Sequence, residues 1–367
     1  MKYKIGDHHI YSFIRLSKVF IKARKVDEEL IDFIKGYIVL PLQGTKSISY
    51  INQENEQNDI LFSEGWRSIN TSAIDSLIEL SLVDEYKNDI FDFFLKISSA
   101  LPIQLRLVVL YELQKGTGFS IEKLLELFHA YTIEVSSEIY FVAQQLLNRL
   151  FYNCFDELIP FVRQTMGMKE AAKSLGILLF YGWLYHHDES KQLLLELHQI
   201  QPESIKSTMG KAFEYLSNPE FEEKCMYIIN LYAHDKRKFI REEYLHNFHR
   251  LSPDNFLTVK SIIQELINEQ DEEDRLYNLY RYLIRCCNFY YSECIDILTS
   301  INFDNNCHNK KEFEEPVKIL TISYNALKEF DSSNPQMEFA MDVFDKLLQQ
   351  LNYRTNIEEI LRTMDFS

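Results

Sequence analysis

Residues 173–191, KSLGILLFYGWLYHHDESK, combine an apolar helical segment with a polar turn. The apolar part is long enough for about three helical turns. Asp188 is a favourable N-cap residue, and Glu189 would lie at the positive end of the dipole of the helix that follows. We therefore expect two helices joined by a turn at His187 and Asp188, with Trp183 packed in the core.

The same helix–turn–helix signals continue on both sides of this stretch. Apolar residues recur at three- and four-residue spacing through most of the 367 residues, and the interruptions carry helix-capping residues. Glycine and proline are scarce, with 10 and 8 residues, whereas the many turns of β-rich folds need both. The sequence therefore predicts an all-α fold.

The predicted helices form pairs that recur at a nearly constant distance along the chain. Six pairs are predicted to begin near Pro102, Ser136, Lys169, Pro202, Asp235 and Asp271. A period of about 34 residues with two helices per unit is typical of an α-solenoid of antiparallel helix pairs. The helix-pair repeat array is predicted to span residues 102–301.

Two atypical regions flank the predicted array. Residues 1–101 are predicted to form an N-terminal helical region, in which a polar insertion at 41–65 interrupts the apolar pattern. Residues 302–367 are predicted to form C-terminal capping helices. Atypical ends are expected, because the terminal units of a solenoid must cover its open core.

The segment KSLGILLFY (173–181) resembles the Leu-Gly…Tyr pattern in the first helix of tetratricopeptide repeats. This resemblance implies divergent TPR-like or HEAT-like helix pairs over residues 102–301. The whole chain, with its helix pairs, polar break and capped C-terminal end, resembles the C-terminal recognition region of bacterial STAND-type NTPases. That second resemblance implies a solenoid that senses a foreign protein in antiviral defence, with any nucleotide site on a different segment.

The charge of the chain is unevenly distributed. A net charge of −16 and a pI near 5.2 weigh against binding to the phosphate backbone of nucleic acids. Residues 1–25 are an exception, because they contain seven Lys and Arg residues and a single Asp. This basic segment is interpreted either as a solvated helix face or as a docking surface for an acidic partner or for another part of a longer polypeptide.

The sequence gives no indication of a membrane span. The longest apolar run, 176–185, has about half of the required length. There is no secretory signal, and six cysteines in 367 residues are too sparse for a disulfide framework. We therefore expect a cytoplasmic protein without membrane contact.

No metal site, cofactor or catalytic residue is predicted. His186 and His187 are adjacent, so on a helix their side chains would point about 100° apart, which disfavours chelation of one ion. The residues that could suggest zinc lack two close ligand pairs, and their thiols are expected to be buried; they are Cys286, Cys287, Cys294, Cys307 and His308. The glycine-rich nucleotide motifs, the hydrolase nucleophile motif and the His-Glu-x-x-His zinc motif are absent from the sequence.

These observations favour a non-catalytic protein-recognition scaffold or sensor that binds a macromolecular partner on a solenoid surface. The candidate contacts are aromatic residues on the first helix of each predicted pair, which we call the first helices: Tyr140, Phe141, Phe180, Tyr181, Tyr215 and Tyr282. Basic residues of the segment 234–250 are further candidates: Lys236, Arg237 and Arg241. Two alternatives remain open, a helical nucleic-acid-binding protein that uses this basic segment and a metal-dependent helical enzyme that uses His186 and His187.

Overall fold

The computed structural model describes most of the chain as helix. The described residues are 7–22, 26–38, 69–185, 187–268, 276–299, 310–330 and 335–349. Within these ranges the chain forms 18 α-helices joined by turns and short 3-10 segments, and it contains no strand. The all-α prediction is therefore confirmed, whereas the solenoid arrangement and the 34-residue period stay predictions. The polar insertion predicted at 41–65 lies outside the described residues.

The chain divides into two compact units, and each is described by itself. The first unit comprises Met1–Leu178 with His187–Glu189, and the second comprises Leu179–His186 with Ser190–Ser367. The helices of the first unit are α1 (Asp7–Lys22), α2 (Glu28–Ile38), α3 (Ile69–Leu80), α4 (Lys87–Ile97), α5 (Ile103–Lys115), α6 (Ile121–Tyr131), α7 (Ser137–Phe151) and α8 (Phe155–Thr165).

Helices of the first unit pack mainly against the next helix but one. The helices α1 and α2 both lie on α3, and further contacts join α3 to α5, α5 to α7 and α4 to α6. Leucine, isoleucine and phenylalanine side chains fill the spaces between them. The buried Tyr131 hydroxyl donates a hydrogen bond of 2.8 Å to the carbonyl oxygen of Phe94, which ties α6 to α4.

The second unit has the same pattern of contacts. The helix α9 (Ala172–Leu184) begins in the first unit and ends in the second. The following helices are α10 (Asp188–Ile200), α11 (Glu203–Tyr215), α12 (Glu222–Ala233), α13 (Lys238–Asn247), α14 (Phe256–Asn268), α15 (Tyr277–Cys286), α16 (Tyr291–Thr299), α17 (Lys310–Phe330) and α18 (Gln336–Gln349). One series of contacts joins α11, α13, α15 and α17 in order, and a second series joins α12, α14, α16 and α18.

Several helices begin where the capping residues predict. Pro102 and Pro202 directly precede α5 and α11, and Ser136 accepts a hydrogen bond from the Ile139 amide at the start of α7. The 3-10 turn that leads into α9 begins at Lys169. The helix α13 begins at Lys238 rather than at Asp235, whose carboxylate instead accepts a hydrogen bond from the Arg237 amide in the preceding turn. The start predicted near Asp271 lies outside the described residues.

The turn inside residues 173–191 lies close to its predicted position. The helix α9 ends at Leu184, and α10 begins at Asp188, one residue before the predicted helix start. Trp183 is buried, as predicted. The Ser190 hydroxyl donates a hydrogen bond of 2.7 Å to the Leu179 carbonyl oxygen, which closes the turn between the two helices.

The cysteines of the described residues are free and buried: Cys154, Cys225, Cys286, Cys287 and Cys294. Burial raises the pKa of the Cys225 thiol and of the Cys286 thiol to about 12. These thiols are therefore protonated at neutral pH and act as small apolar groups in the core. In the described part of the chain, no helix is both long and apolar enough to cross a membrane.

Replacing Gly118 with alanine is expected to destabilise the first unit by about 1–3 kcal/mol or more, because it would overpack the loop between α5 and α6. A Cβ atom at Gly118 would lie 2.0 Å from the backbone oxygen of Ser81, and the Gly118 amide is held at 3.3 Å from the Ser81 hydroxyl. Equilibrium unfolding in urea measures this decrease in the free energy of unfolding. As a control, Gly36→Ala in α2 meets no atom within 4 Å and should stabilise the unit by up to about 1 kcal/mol. Equal midpoints for the two variants would contradict the packing of this loop.

Candidate functional site

Three of the aromatic residues predicted as partner contacts lie in the core. Tyr140, Phe180 and Tyr282 are at most 2% exposed. The Tyr140 hydroxyl lies 2.6 Å from the Ser174 hydroxyl, and Tyr282 donates a hydrogen bond of 3.1 Å to the Ser252 carbonyl oxygen. Burial raises the pKa of Tyr140 to about 12. Tyr140 thus joins α7 to α9, and all three side chains present almost no surface to a partner.

The other three predicted aromatic residues retain accessible surface. Phe141 is 43% exposed on α7, in the first unit. Tyr181 and Tyr215 are half-buried in the second unit, and their ring centroids lie 5.7 Å apart in an edge-to-face arrangement. The structure therefore brings together two predicted contact residues that are 34 positions apart in sequence.

Tyr185 extends this pair into a small aromatic surface. It lies one helical turn after Tyr181, at the C-terminal end of α9, and is 52% exposed. The buried ring of Phe221 packs beneath the surface, with its centroid 5.5 Å from Tyr185 and 6.2 Å from Tyr215. We refer to Tyr181, Tyr185 and Tyr215 as the tyrosine cluster.

The end of α9 that carries the tyrosine cluster is held by a lysine from α12. The Lys224 ammonium group donates hydrogen bonds to the carbonyl oxygens of Trp183 and Leu184, at 2.7 and 3.2 Å. The last carbonyl groups of a helix have no partner within the helix, so this lysine satisfies two of them and places a positive charge at the negative end of the helix dipole. Tyr185 therefore stands on a fixed backbone.

A second aromatic arrangement lies around Trp183. The rings of Trp183 and Tyr227 meet edge to face at 5.4 Å, and the Lys191 ammonium group lies 5.0 Å from the first centroid and 3.8 Å from the second. Tyr227 and Leu231 are 38% and 46% exposed on α12. Because Trp183 itself is buried, this group mainly packs α10 and α12 against the end of α9.

The basic residues predicted as contacts serve partly as structural links. The Arg237 guanidinium group binds both carboxylate oxygens of Asp235 at 2.5–3.1 Å, and this pairing lowers the pKa of Asp235. Arg241 donates a hydrogen bond of 3.2 Å to the Leu266 carbonyl oxygen. Lys236 is exposed. Two of the three predicted basic contacts therefore fix a turn and a helix end.

The structure also contains a buried polar network that is not among the sequence-based predictions. His198 on α10 is 4% exposed, and its ring nitrogens lie 2.5 Å from the Tyr232 hydroxyl and 3.1 Å from the Thr208 hydroxyl. Thr208 donates its only hydroxyl hydrogen to the Ser204 carbonyl oxygen, so it must accept from His198 Nε2–H. The Tyr232 hydroxyl therefore donates to Nδ1, and one hydrogen-bonded chain links α10, α11 and α12.

The chemistry of this network is that of a structural link. Burial, together with the nearby Arg237, lowers the pKa of His198 to about 3. A general base needs a pKa near the working pH, so His198 would be a poor proton acceptor at neutrality. The sequence contains a signal for this network, because His198 and Tyr232 are 34 residues apart and each is the eleventh residue of its helix, α10 or α12.

Among the residues considered for a metal site, Cys287 and Cys294 come close together in the core, where both thiols donate to the Leu283 carbonyl oxygen. The His187 ring stacks on Phe155 at 4.6 Å between centroids, whereas His186 lies outside the described residues. The Cys287 thiol donates to the Leu283 carbonyl oxygen at 2.9 Å inside the core, and Cys307 and His308 are again outside. Within the described ranges, no three His, Cys, Asp or Glu side chains are arranged to hold a metal ion.

Comparison of the chain with models of protein families, with curated proteins and with solved structures gives no match. The residues of the described helices are therefore the basis for a functional proposal. Among them, the tyrosine cluster combines predicted contact residues, accessible aromatic surface and a fixed backbone.

Proposed function

We propose that the chain is a non-catalytic protein-recognition scaffold that binds a protein partner at the tyrosine cluster. The observation that carries the proposal is the contact of Tyr181 with Tyr215, together with the packing of Tyr185 and Tyr215 on the buried ring of Phe221. Tyrosine is enriched among residues that dominate binding energy, because it offers a large apolar ring and a hydroxyl group at a small cost in side-chain entropy. The capped end of α9 adds preorganisation, which improves affinity.

The proposal includes a solenoid arrangement of the helix pairs within each unit. It is supported by the contacts that join every second helix, such as α3 to α5 to α7 and α11 to α13 to α15. Hydrogen bonds between successive pairs also link residues about one repeat apart, including Tyr140 with Ser174 and His198 with Tyr232. In such a stack the first helices line one face, which offers an extended binding surface.

A more specific form of the proposal is that the partner is a foreign protein and the chain is a sensor in bacterial antiviral defence. This form rests on the resemblance to the recognition regions of STAND-type NTPases. It assigns recognition to this chain and any nucleotide hydrolysis to another segment.

We expect the tyrosine cluster to be required for capture of a partner. The protein and a Tyr185→Ser/Tyr215→Ser variant are used as baits in cell extracts, and a protein retained by the first bait is then purified and titrated. Loss of two aromatic anchors should weaken its binding about 100-fold or more. The matched control is Tyr152→Ser, because Tyr152 is 43% exposed but lies on the first unit, and it should bind like the unmodified chain.

Several outcomes would contradict the proposal. Equal binding by the cluster variant and the control would show that the cluster is not the site. Salt-dependent nucleic-acid binding that is weakened by charge reversal at Arg237 and Arg241 would favour a nucleic-acid-binding protein. Bound zinc that is lost on alanine substitution at His186 and His187 would favour the metal-dependent enzyme. A compact sphere in small-angle scattering would contradict the solenoid arrangement.

A further inference from the structure

The helices α1 and α2 present an apolar surface to solvent. Its members are 39–61% exposed, although each is a large apolar side chain: Phe13, Leu16, Val19, Phe20 and Phe33. The rings of Phe13 on α1 and Phe33 on α2 meet edge to face, with centroids 5.2 Å apart, so the residues form one continuous surface. We refer to these five residues as the α1–α2 patch.

The α1–α2 patch is separate from the surface that folds the first unit. The helix α1 buries Ile14 and Ile21, while α2 buries Ile31, Ile34 and Ile38, and both helices lie on α3. The exposed row on α1 consists of Phe13, Leu16 and Phe20, at positions i, i+3 and i+7. The buried residues Ile14, Ser17 and Ile21 have the same spacing. The helix therefore has a second apolar row, which is largely exposed in the described part of the chain.

The two edges of the patch carry opposite charges. Successive residues of a helix are rotated by about 100° about its axis. Arg15 therefore lies on the far side of Leu16 from Phe13, on the edge of α1 that faces away from α2. The same step places Asp32 beyond Phe33, on the edge of α2 that faces away from α1. Arg15, Asp32 and Glu29 are all exposed. The surface is thus apolar in the middle, basic along one edge and acidic along the other.

This charge pattern selects the occupant of the patch. An acidic ligand would match only the basic edge, and an anionic membrane surface would be repelled by the acidic edge. A second copy of the chain, related by a two-fold axis parallel to the helices, places the basic edge of each copy on the acidic edge of the other. Such self-complementarity is the requirement for a two-fold symmetric interface.

We propose that the α1–α2 patch is a homodimer interface, in which Arg15 of each copy faces Asp32 of the other copy. The inference goes beyond the proposed function, since it concerns α1 and α2 rather than the tyrosine cluster and stands if that proposal fails. Taking roughly 150–200 Å² for each large side chain, the exposed parts of the five residues sum to about 400 Å². This is half of the roughly 800 Å² per partner in a standard interface, as expected for an apolar centre within a polar rim.

Sedimentation of the whole chain over a wide range of concentration tests the proposal. We expect a reversible monomer–dimer equilibrium for the unmodified chain. Leu16→Glu would place a charge in the middle of the interface on both copies, and we expect it to raise the dimer Kd at least about 100-fold. The control is Ile133→Glu, because Ile133 is 69% exposed elsewhere on the first unit, and this variant should dimerise like the unmodified chain. Circular dichroism checks that both variants keep their helices.

Exchange of the edge charges tests the two-fold arrangement. Arg15→Asp and Asp32→Arg should each raise the dimer Kd, because each variant brings like charges together across the interface. The variant that carries both substitutions should have the dimer Kd of the unmodified chain. A chain that is monomeric at every concentration would overturn the proposal. A dimer that tolerates Leu16→Glu would also overturn it. A monomer that binds phosphatidylglycerol vesicles but not phosphatidylcholine vesicles, with loss on Leu16→Glu, would assign the patch to a membrane surface instead.

Discussion

Replacing Phe180 with alanine is expected to destabilise the second unit by about 3–5 kcal/mol, the usual cost of deleting a fully buried phenylalanine ring. Phe180 is 0% exposed, and its ring meets Trp183 edge to face, with centroids 6.3 Å apart. Truncation removes these contacts and leaves a cavity that the surrounding helices can fill only in part. Equilibrium unfolding in urea, followed by tryptophan fluorescence and circular dichroism, measures the loss.

Phe141→Ala is the matched control, because the same residue type on another first helix is 43% exposed. Removal of the Phe141 ring should lower the free energy of unfolding by no more than about 1 kcal/mol, since much of the ring is already in contact with water. If the two variants unfold at the same urea concentration, the placement of Phe180 in the core is wrong. Loss of partner binding by Phe180→Ala at a temperature where the variant is folded would indicate a role beyond packing.

The comparison of Phe180 with Phe141 also defines what the sequence could predict about the candidate site. Both are aromatic residues on the first helix of a predicted pair, and the sequence predicts both as partner contacts. The helix α9 is apolar on every side, so its sequence contains no polar face from which its rotation could be inferred. Burial of Phe180 and partial exposure of Tyr181 follow from the helices packed around α9, which a single sequence does not specify.

Local features of the fold were more predictable than contacts between helix pairs. The starts of α5, α7 and α11 agree with Pro102, Ser136 and Pro202, because capping depends on a few neighbouring residues. The contact of Lys224 with the end of α9 joins residues 40 and 41 positions apart. Such a contact depends on how α12 packs against the end of α9, so local sequence signals cannot reveal it.

The stability of the second unit is expected to fall as the pH is lowered from about 6.5 towards 3, with His198 responsible for up to about 1.4 kcal/mol per pH unit. His198 has a pKa of about 3 in the folded chain, because its ring is buried and Arg237 is near. In the unfolded chain its pKa returns to about 6.5. Between these values the unfolded state binds a proton that the folded state does not, so acid favours unfolding. Above about pH 6.5 both states are neutral at this ring, and the contribution of His198 no longer changes.

His198→Gln separates this effect from other acid-sensitive groups. The glutamine amide can accept from the Tyr232 hydroxyl and donate to Thr208, as His198 does, but it does not titrate. Between pH 6 and pH 4, urea unfolding should lose up to about 3 kcal/mol more in the unmodified chain than in the variant. Asp235 does not interfere, because Arg237 lowers its pKa below the usual value of 3.8 and its own loss of stability comes at more acidic pH. Parallel stability curves for the two proteins over this range would mean that His198 is accessible to protons in the folded state, and the hydrogen-bonded chain across α10, α11 and α12 would then be wrong.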